Sequence, residues 1–180
     1  VGLDTWVLQA GVRYISEQFS KNAPVTLSIN VSAKSLQSED FLKNALEALK
    51  NSEENAKKSL ILEITETAAV RDLVKIRTIM NTLRDEGIRF AIDDFGSGFT
   101  SFSHLKDLPI DILKIDGSLI RGAEHDKFDA SLVDSYVRIA NISEMQTVAE
   151  YVESEALSEF ASKIGVDFVQ GFFVHKPEQL

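Results

Sequence analysis

The strongest constraint on the fold is a regular alternation of short apolar runs, rich in β-branched residues, with longer amphipathic stretches. Six short runs predict β-strands, at residues 24–30, 60–64, 89–92, 110–115, 145–149 and 167–170. Nearly continuous apolar strands that alternate with helices are typical of a parallel sheet covered by helices, because both faces of such a sheet are buried. The sequence therefore predicts an α/β fold.

The amphipathic stretches between these runs carry apolar residues at helical spacing, which predicts five helices, at residues 3–19, 41–49, 74–83, 128–141 and 153–163. The charged stretch Asn51–Lys58 predicts a solvated turn. No Pro/Gly/Ser-rich linker or low-complexity tract interrupts the pattern. We therefore expect one domain over residues 1–180.

Charge and cysteine content exclude several classes of protein. The chain of 180 residues has 19 Lys and Arg against 28 Asp and Glu, a formal net charge of −9, which argues against a partner that is a nucleic acid polymer. The absence of cysteine excludes disulfide scaffolds, zinc–cysteine sites, iron–sulfur clusters and thiol catalysis, and fits a cytoplasmic location. The sequence contains no run of 18 apolar residues, so we expect no membrane span in this chain.

Polar side chains fall at or just after the carboxyl end of every predicted strand, namely Asn30, Glu63 with Glu66, Asp93 with Asp94, Lys114 with Asp116, Glu150 and Gln170. In parallel α/β proteins this edge of the sheet carries the active site. Asn, Glu and paired Asp are hard oxygen ligands suited to Mg²⁺, Mn²⁺ or Ca²⁺. Adjacent carboxylates at Asp93 and Asp94 could serve two ions, an arrangement used to hydrolyse phosphate esters.

Three features beside these carboxylates each have a functional and a plainer interpretation. Lys114 is either a fixed cation for a phosphate or a partner in a simple ion pair. The glycine-rich segment 95–101 is either an ordinary turn or a loop that covers a ligand. Glu66 either holds that loop through backbone NH groups or begins a helix, where a carboxylate is favourable.

Seven segments, in order along nearly the whole chain, match one known family: 29–32, 62–66, 91–98, 113–116, 148–150, 169–171 and 176–177. They read Ile-Asn-Val-Ser, Leu-Glu-Ile-Thr-Glu, Ala-Ile-Asp-Asp-Phe-Gly-Ser-Gly, Leu-Lys-Ile-Asp, Val-Ala-Glu, Val-Gln-Gly and Lys-Pro. On these residues the chain resembles the EAL domain family of bacterial cyclic di-GMP phosphodiesterases.

The resemblance implies a modified TIM-like (β/α) barrel, with about six of eight strands in this chain. It also implies hydrolysis of cyclic di-GMP to linear pGpG with two Mg²⁺ or Mn²⁺ ions. By position, Asn30, Glu63 and Asp93 would ligate the first ion, and Asp93 would bridge to a second ion beside Asp94 and Glu150.

The remaining roles come from the resemblance as well. Lys114 would contact the nucleophilic water or the phosphate, and Glu66 would anchor the loop. Glu150 is also a candidate general base, but a carboxylate that ligates a metal is a poor free base, so activation of water by the metal ranks first. Residues expected to contact the substrate are Gly96, Ser97, Gly98, Tyr151 and Gln170.

Two departures from the family pattern matter. The Glu-Ala-Leu strand that names the family, whose Glu is a metal ligand, and roughly the first two strands have no counterpart here. We therefore expect a piece of a longer signalling protein with an attached sensory or cyclase domain, and a membrane anchor in that longer protein is compatible with the pattern. The second departure is Tyr151, where the family usually has Gly, because its ring could narrow the pocket or stack on a guanine.

Two rival functions remain open on the sequence alone. One is a non-hydrolysing cyclic di-GMP receptor or regulatory interaction module, favoured by Tyr151 and the missing strands. The other is a Schiff-base enzyme that uses Lys114. The open strand edges are compatible with a homodimer.

The missing carboxylate ligand predicts that residues 1–180 alone are a weak or inactive phosphodiesterase, because water brings neither the charge nor the fixed geometry of that ligand. Hydrolysis of cyclic di-GMP with millimolar Mn²⁺ should be compared between this chain and a form extended upstream through a Glu-x-Leu strand. Equal rates would contradict the expectation.

Overall fold

The computed structural model describes residues 1–66, 73–97 and 106–178, and all six predicted strands are present among them. The strands are β1 Leu27–Asn30, β2 Leu60–Thr65, β3 Arg89–Phe95, β4 Ile112–Ile115, β5 Gln146–Ala149 and β6 Phe168–Val169. The helices are α1 Gly2–Ser20, α2 Ala33–Leu36, α3 Glu39–Leu49, α4 Glu54–Lys58, α5 Leu73–Asp85, α6 Gly117–Gly122, α7 Lys127–Ile142 and α8 Glu155–Ile164.

The strands follow one another in the sheet in sequence order. β1 pairs with β2 in parallel, which sets Asn30 opposite Glu63. β4 pairs in parallel with β5, and β5 with β6, so Lys114 lies opposite Val148 and Ala149 lies opposite Val169. The parallel pairing agrees with the prediction from the apolar strands, and each pairing brings the carboxyl ends of its strands to one edge.

The chain forms two compact units. The first contains the described residues up to 91 together with 106–110, and its fully buried side chains include those of Phe41, Phe90, Leu62 and Ile76. The second contains residues 92–97 and 111–178. Its core consists of apolar side chains from β4 and β5 packed against those of the helices, namely Ile115, Ile120, Val133, Val137, Ala149, Val152, Leu157 and Ala161.

The helices bury the apolar face that their spacing predicts. α3, for example, buries Phe41, Ala45 and Leu49, which lie four residues apart along one side of the helix.

Within the part of the chain that the structure describes, none of the helices combines the length and the apolar character that crossing a bilayer needs.

The predicted solvated turn at Asn51–Lys58 is wrong, because residues 54–58 form the short helix α4. Ala56 is buried at 3% exposure and fixes one face of α4. Lys57 Nζ lies 2.8 Å from a Glu86 carboxylate oxygen, so the exposed side of α4 is held as well. Tertiary packing of one small apolar residue therefore outweighs the polar composition that predicted a turn.

Gly165 ends α8 in the left-handed region, at φ +83°, and a Cβ added there would meet nothing within 4 Å. Replacement by Ala would therefore add backbone strain without a clash. Gly165→Ala should lower the free energy of unfolding by about 1 kcal/mol, measured by urea titration.

Gly2 provides the matched control, because its added Cβ also meets nothing within 4 Å and its backbone is helical. Gly2→Ala should leave stability unchanged or raise it by up to about 1 kcal/mol, through helix propensity. Equal losses in both variants would contradict the assignment of the Gly165 effect to its left-handed backbone.

Candidate active site

Three carboxylates meet where β3 and β5 end. Asp93 and Asp94 belong to β3, and Glu150 directly follows β5. Each offers one carboxylate oxygen, and these three oxygens lie within 4.8 Å of one another. We call these three residues the acidic cluster. Since carboxylates this close repel one another, the ionised cluster requires a nearby cation.

Lys114 of β4, one residue before the end of the ladder with β5, supplies one such cation. Its Nζ lies 2.6 Å from Asp93 Oδ1 and 2.9 Å from Glu150 Oε1, and the residue is 5% exposed. Buried, charge-assisted contacts of this length fix the ammonium group in position. Three carboxylates still face one ammonium group, so the cluster keeps excess negative charge when all four groups are ionised.

Glu150 carries a free acceptor. Its Oε1 contacts Lys114, whereas its buried Oε2 has no hydrogen-bond partner among the described residues. Burial raises the pKa of Glu150 to about 6, because the contact with Lys114 lowers it by less and the charges of Asp93 and Asp94 raise it further. An unpartnered carboxylate oxygen beside two further carboxylates matches the hard oxygen donors that Mg²⁺ and Mn²⁺ prefer.

The backbone that presents Asp94 is turned out of the strand conformation. Asp94 has φ +55° and Gly96 has φ +95°. Asp tolerates the left-handed region better than most residues, although a single residue there still costs about 1–2 kcal/mol. Ser97 stabilises the turn, since its amide and its hydroxyl both donate to the Asp94 carbonyl oxygen, at 3.2 and 2.8 Å.

Side chains from α6 and α7 pack against this turn. A Cβ at Gly96 would lie 2.5 Å from Leu119 Cδ1 and 2.9 Å from Tyr136 Cε2, so only Gly fits. The rings of Phe95 and Tyr136 make an edge-to-face contact with centroids 4.9 Å apart. Tyr136 thus holds the turn that carries the two Asp residues. The sequence did not indicate this role, because Tyr136 lies within an ordinary amphipathic helix pattern.

The predicted site residues of the first unit lie together at the ends of β1 and β2. Asn30 is exposed and opposite Glu63, which is 7% exposed. The chain beyond Asn30 is fixed because Asp4 accepts hydrogen bonds from the Ser32 amide and hydroxyl, at 2.9 and 2.7 Å. Glu66 is 3% exposed. The metal-ligand roles of Asn30 and Glu63 and the loop-anchor role of Glu66 stay predictions.

The remaining predicted residues lie in different surroundings. Gln170 directly follows β6 and is exposed, with its backbone amide donating to the Ala149 carbonyl oxygen at 2.8 Å. Gly96 and Ser97 form the turn described above, whereas Gly98 and the rest of the predicted loop lie outside the described residues. Asp116 has a local structural role, because its carboxylate accepts from the Ser118 amide at 2.8 Å and caps α6. The substrate contacts of Gln170, Gly96 and Ser97 stay predictions.

Tyr151, next to Glu150, has φ +53° and is 55% exposed. The guanidinium carbon of Arg121 lies 5.0 Å from the centroid of its ring. A Cβ added to Gly117 would lie 2.3 Å from Tyr151 Cδ2, so the ring packs directly on that glycine. The sequence analysis did not single out Arg121. Arg121 follows Asp116, the N-cap of α6, by five residues, and this spacing alone does not mark it as a site residue.

Parallel strands with carboxylates and a buried lysine gathered at their carboxyl ends define an α/β-barrel type of protein whose active site lies at that edge. The family model described as "EAL domain" matches residues 1–177. The chain belongs to the EAL domain family.

Named relatives agree with this assignment. The chain is 37% identical over 180 residues to "Cyclic di-GMP phosphodiesterase PdeA" of Borreliella burgdorferi, covering 100% of this chain and 27% of that protein. A solved structure, "PaMucR Phosphodiesterase, c-di-GMP complex", is 34% identical with a TM-score of 0.88, covering 98% of this chain and 71% of that chain. The EAL domain of Mycobacterium smegmatis DcpA is 34% identical with a TM-score of 0.86, covering 97% and 79%.

The comparisons confirm the predicted fold class, since EAL domains are TIM-like barrels. The predicted family is confirmed as well. The chain spans about a quarter of the length of the curated relatives it matches, 27% of the first and 24% of an Escherichia coli phosphodiesterase, PdeF.

The raised pKa of Glu150 predicts a specific pH dependence in the metal-free protein. Because the folded state binds this proton more tightly than the unfolded state, the stabilisation is complete below about pH 4.5 and is lost as pH rises through about 6. The Glu150 proton should therefore change the free energy of unfolding of the wild type by about 2 kcal/mol across this pH range. Glu150→Gln should remove this pH dependence.

The measurement is urea unfolding of wild type and variant in chelator from pH 4.5 to 7.5, read as their difference. Glu153→Gln, at an exposed position in the same segment, is the control. Parallel pH curves for wild type and Glu150→Gln would show that burial of Glu150 does not shift its protonation.

Proposed function

We propose that this chain is a metal-dependent phosphodiesterase domain that hydrolyses cyclic di-GMP to linear pGpG in bacterial second-messenger signalling. The observation that carries the proposal is the acidic cluster, in which three carboxylate oxygens lie within 4.8 Å beside a buried lysine. A cluster this compact costs stability unless a cation binds it. Phosphodiester hydrolysis is a reaction in which such bound cations act directly.

Asp93, Asp94 and Glu150 would hold the metal, which we propose to be two Mg²⁺ or Mn²⁺ ions with Asp93 shared between them. The donor chemistry fits, because all three are hard oxygen ligands and Glu150 Oε2 is buried without a partner among the described residues. When bound, such ions stabilise charge on a phosphate and lower the pKa of a coordinated water. Asn30 and Glu63 remain the further ligands that the family resemblance predicts.

Lys114 would bind and orient the phosphate. Its ammonium group is held by Asp93 and Glu150, so it needs no reorganisation when charge develops on the substrate. Glu150 would hold or release a proton at Oε2, since a pKa of about 6 makes both states accessible near neutral pH. With a metal bound to Glu150 its proton affinity falls, so this role is secondary.

The substrate is supported by likeness. Curated relatives that are 37% and 33% identical are named cyclic di-GMP phosphodiesterases, and a solved relative at 34% identity is titled as a c-di-GMP complex. Because the chain spans about a quarter of the length of those relatives, we also propose that a sensory or cyclase domain is attached to it. We propose a cytoplasmic location for this phosphodiesterase domain. A homodimer remains a proposal from the open strand edges.

The metal assignment predicts that Asp93→Asn abolishes hydrolysis and that Asp94→Asn reduces it nearly as much. Replacing a ligand should cost at least about 100-fold in activity, because even residues that only orient ligands cost about 10–100-fold. Asn suits the left-handed backbone at position 94, so that variant removes charge with little strain. Mn²⁺ binding by calorimetry should weaken in parallel with turnover.

The assay is cyclic di-GMP turnover with Mn²⁺ by the protein at its full natural length. Asp134→Asn is the control, because Asp134 pairs with Arg138 on the surface of α7, outside the acidic cluster. Near-normal turnover in Asp93→Asn would refute the two-ion assignment. Tight binding of cyclic di-GMP by the wild type without any turnover would replace the proposal with the non-hydrolysing receptor.

A further inference from the structure

Asp4 joins two segments that lie 28 residues apart in the chain. Its carboxylate oxygen Oδ2 accepts hydrogen bonds from both the amide and the hydroxyl of Ser32, at 2.9 and 2.7 Å. Asp4 lies in the first turn of α1, whereas Ser32 follows β1 and caps α2. Asn30, which ends β1 and offers an amide oxygen suited to a hard cation, comes two residues before Ser32. The contact therefore acts on the backbone just beyond a candidate metal ligand.

The Ser32 amide points away from β2, the strand that pairs with β1. The preceding amide, that of Val31, donates to the Glu63 carbonyl oxygen of β2 at 2.8 Å. Successive amides of an extended chain point to opposite sides, so the next amide has to find its acceptor elsewhere. The Asp4 carboxylate supplies that acceptor.

Asn30 is thus followed by a backbone that is held from two sides, through Val31 by β2 and through Ser32 by Asp4. The register sets Asn30 opposite Glu63, so the two side chains lie on the same face of the sheet. Asn30 is exposed and is the last of four residues in β1. Because its side chain gains little from packing, these backbone bonds set where its amide oxygen lies.

The bonds to Asp4 are of the stronger, charge-assisted kind. Burial raises the pKa of Asp4, but hydrogen bonds from Ser32 and Ser35 lower it by more, so that its pKa lies below the usual range. The carboxylate is therefore ionised at neutral pH, and hydrogen bonds to an ionised acceptor are about twice as strong as neutral ones. The Ser32 hydroxyl also accepts from the Ser35 amide at 3.3 Å, so the same contact orients the cap of α2.

A second carboxylate in the chain makes the same pair of bonds at a different place. Asp167 Oδ2 accepts from the amide and the hydroxyl of Thr147, at 2.7 and 2.8 Å. Asp167 directly precedes β6, and Thr147 is the second residue of β5, so this contact lies away from the carboxyl edge of the sheet. The two contacts separate a general stabilising effect from an effect on the residue that follows Asn30.

We propose that Asp4 is a positioning residue for the metal site, because it fixes the backbone from which the Asn30 amide oxygen reaches a divalent cation. The proposal rests on the proposed function, in which Asn30 is one of the ligands. Asp4 itself is not a ligand in this assignment. Replacing residues that only orient ligands typically weakens metal binding by about 10- to 100-fold.

Mn²⁺ dissociation constants, measured by calorimetry with the full-length protein, test this role without any turnover. Asp4→Ala removes the acceptor and should weaken Mn²⁺ binding by about 10- to 100-fold. Asp4→Asn keeps a carbonyl oxygen that can accept both bonds, so it should lose less affinity than Asp4→Ala. Asp167→Ala removes the matching bonds at Thr147 and should leave Mn²⁺ affinity unchanged even where its melting temperature falls.

Combination with Asn30→Ala shows whether Asp4 acts through Asn30. Without the Asn30 amide no ligand is left for Asp4 to position, so adding Asp4→Ala to Asn30→Ala should weaken Mn²⁺ binding no further. A purely structural role would instead lower the affinity by the same factor in both backgrounds. Thermal melting of all four proteins separates lost metal binding from lost folding.

Wild-type Mn²⁺ affinity in Asp4→Ala, or equal losses in Asp4→Ala and Asp167→Ala, would overturn the positioning role and leave the proposed function in place. Independent, additive losses from Asp4→Ala and Asn30→Ala would overturn it as well. Unchanged affinity in Asn30→Ala would remove the ligand on which the inference depends, and Asp93→Asn would then test the proposed function separately. A wild type that binds no Mn²⁺ would overturn both.

Discussion

The ammonium group of Lys114, held between Asp93 and Glu150, is the interaction on which the rest of the site depends. At 2.6 and 2.9 Å and 5% exposure, it joins carboxylates that would otherwise repel one another in a buried setting. It compensates them incompletely, which leaves Glu150 with a raised pKa and an unpartnered oxygen. An acidic cluster of this kind could hold a metal ion.

The scaffold holds these charges through backbone geometry as well as through burial. Lys114 is fixed by the parallel ladder of β4 and β5, and Glu150 follows directly from that ladder. Asp94, within the acidic cluster, and Tyr151, next to Glu150, both have left-handed backbone conformations. Residues that keep this strain next to reactive groups are typical of functional sites, because the surrounding packing offsets a local cost of about 1–3 kcal/mol each.

Much of the fold was predictable because it depends on periodicity. All six strands appear where the β-rich apolar runs placed them, although β6 spans two residues and β3 extends through both Asp residues. The helix α4 was not predictable from composition, because burial of Ala56 and the ion pair of Lys57 involve partners distant in sequence. The short helices α2 and α6 were missed for a similar reason, since each depends on a single capping side chain, Ser32 or Asp116.

The sequence by itself determined the parallel α/β class, the edge at which polar groups gather and the residue types suited to a hard cation, since these follow from side-chain periodicity and ligand chemistry. Only the tertiary structure decided that Lys114 bridges Asp93 and Glu150, that Asp116 caps a helix, and that Arg121 lies on the Tyr151 ring. These contacts depend on strand register and on individual backbone dihedral angles. Neither leaves a periodic trace in the chain, because each is set by packing between segments far apart in sequence.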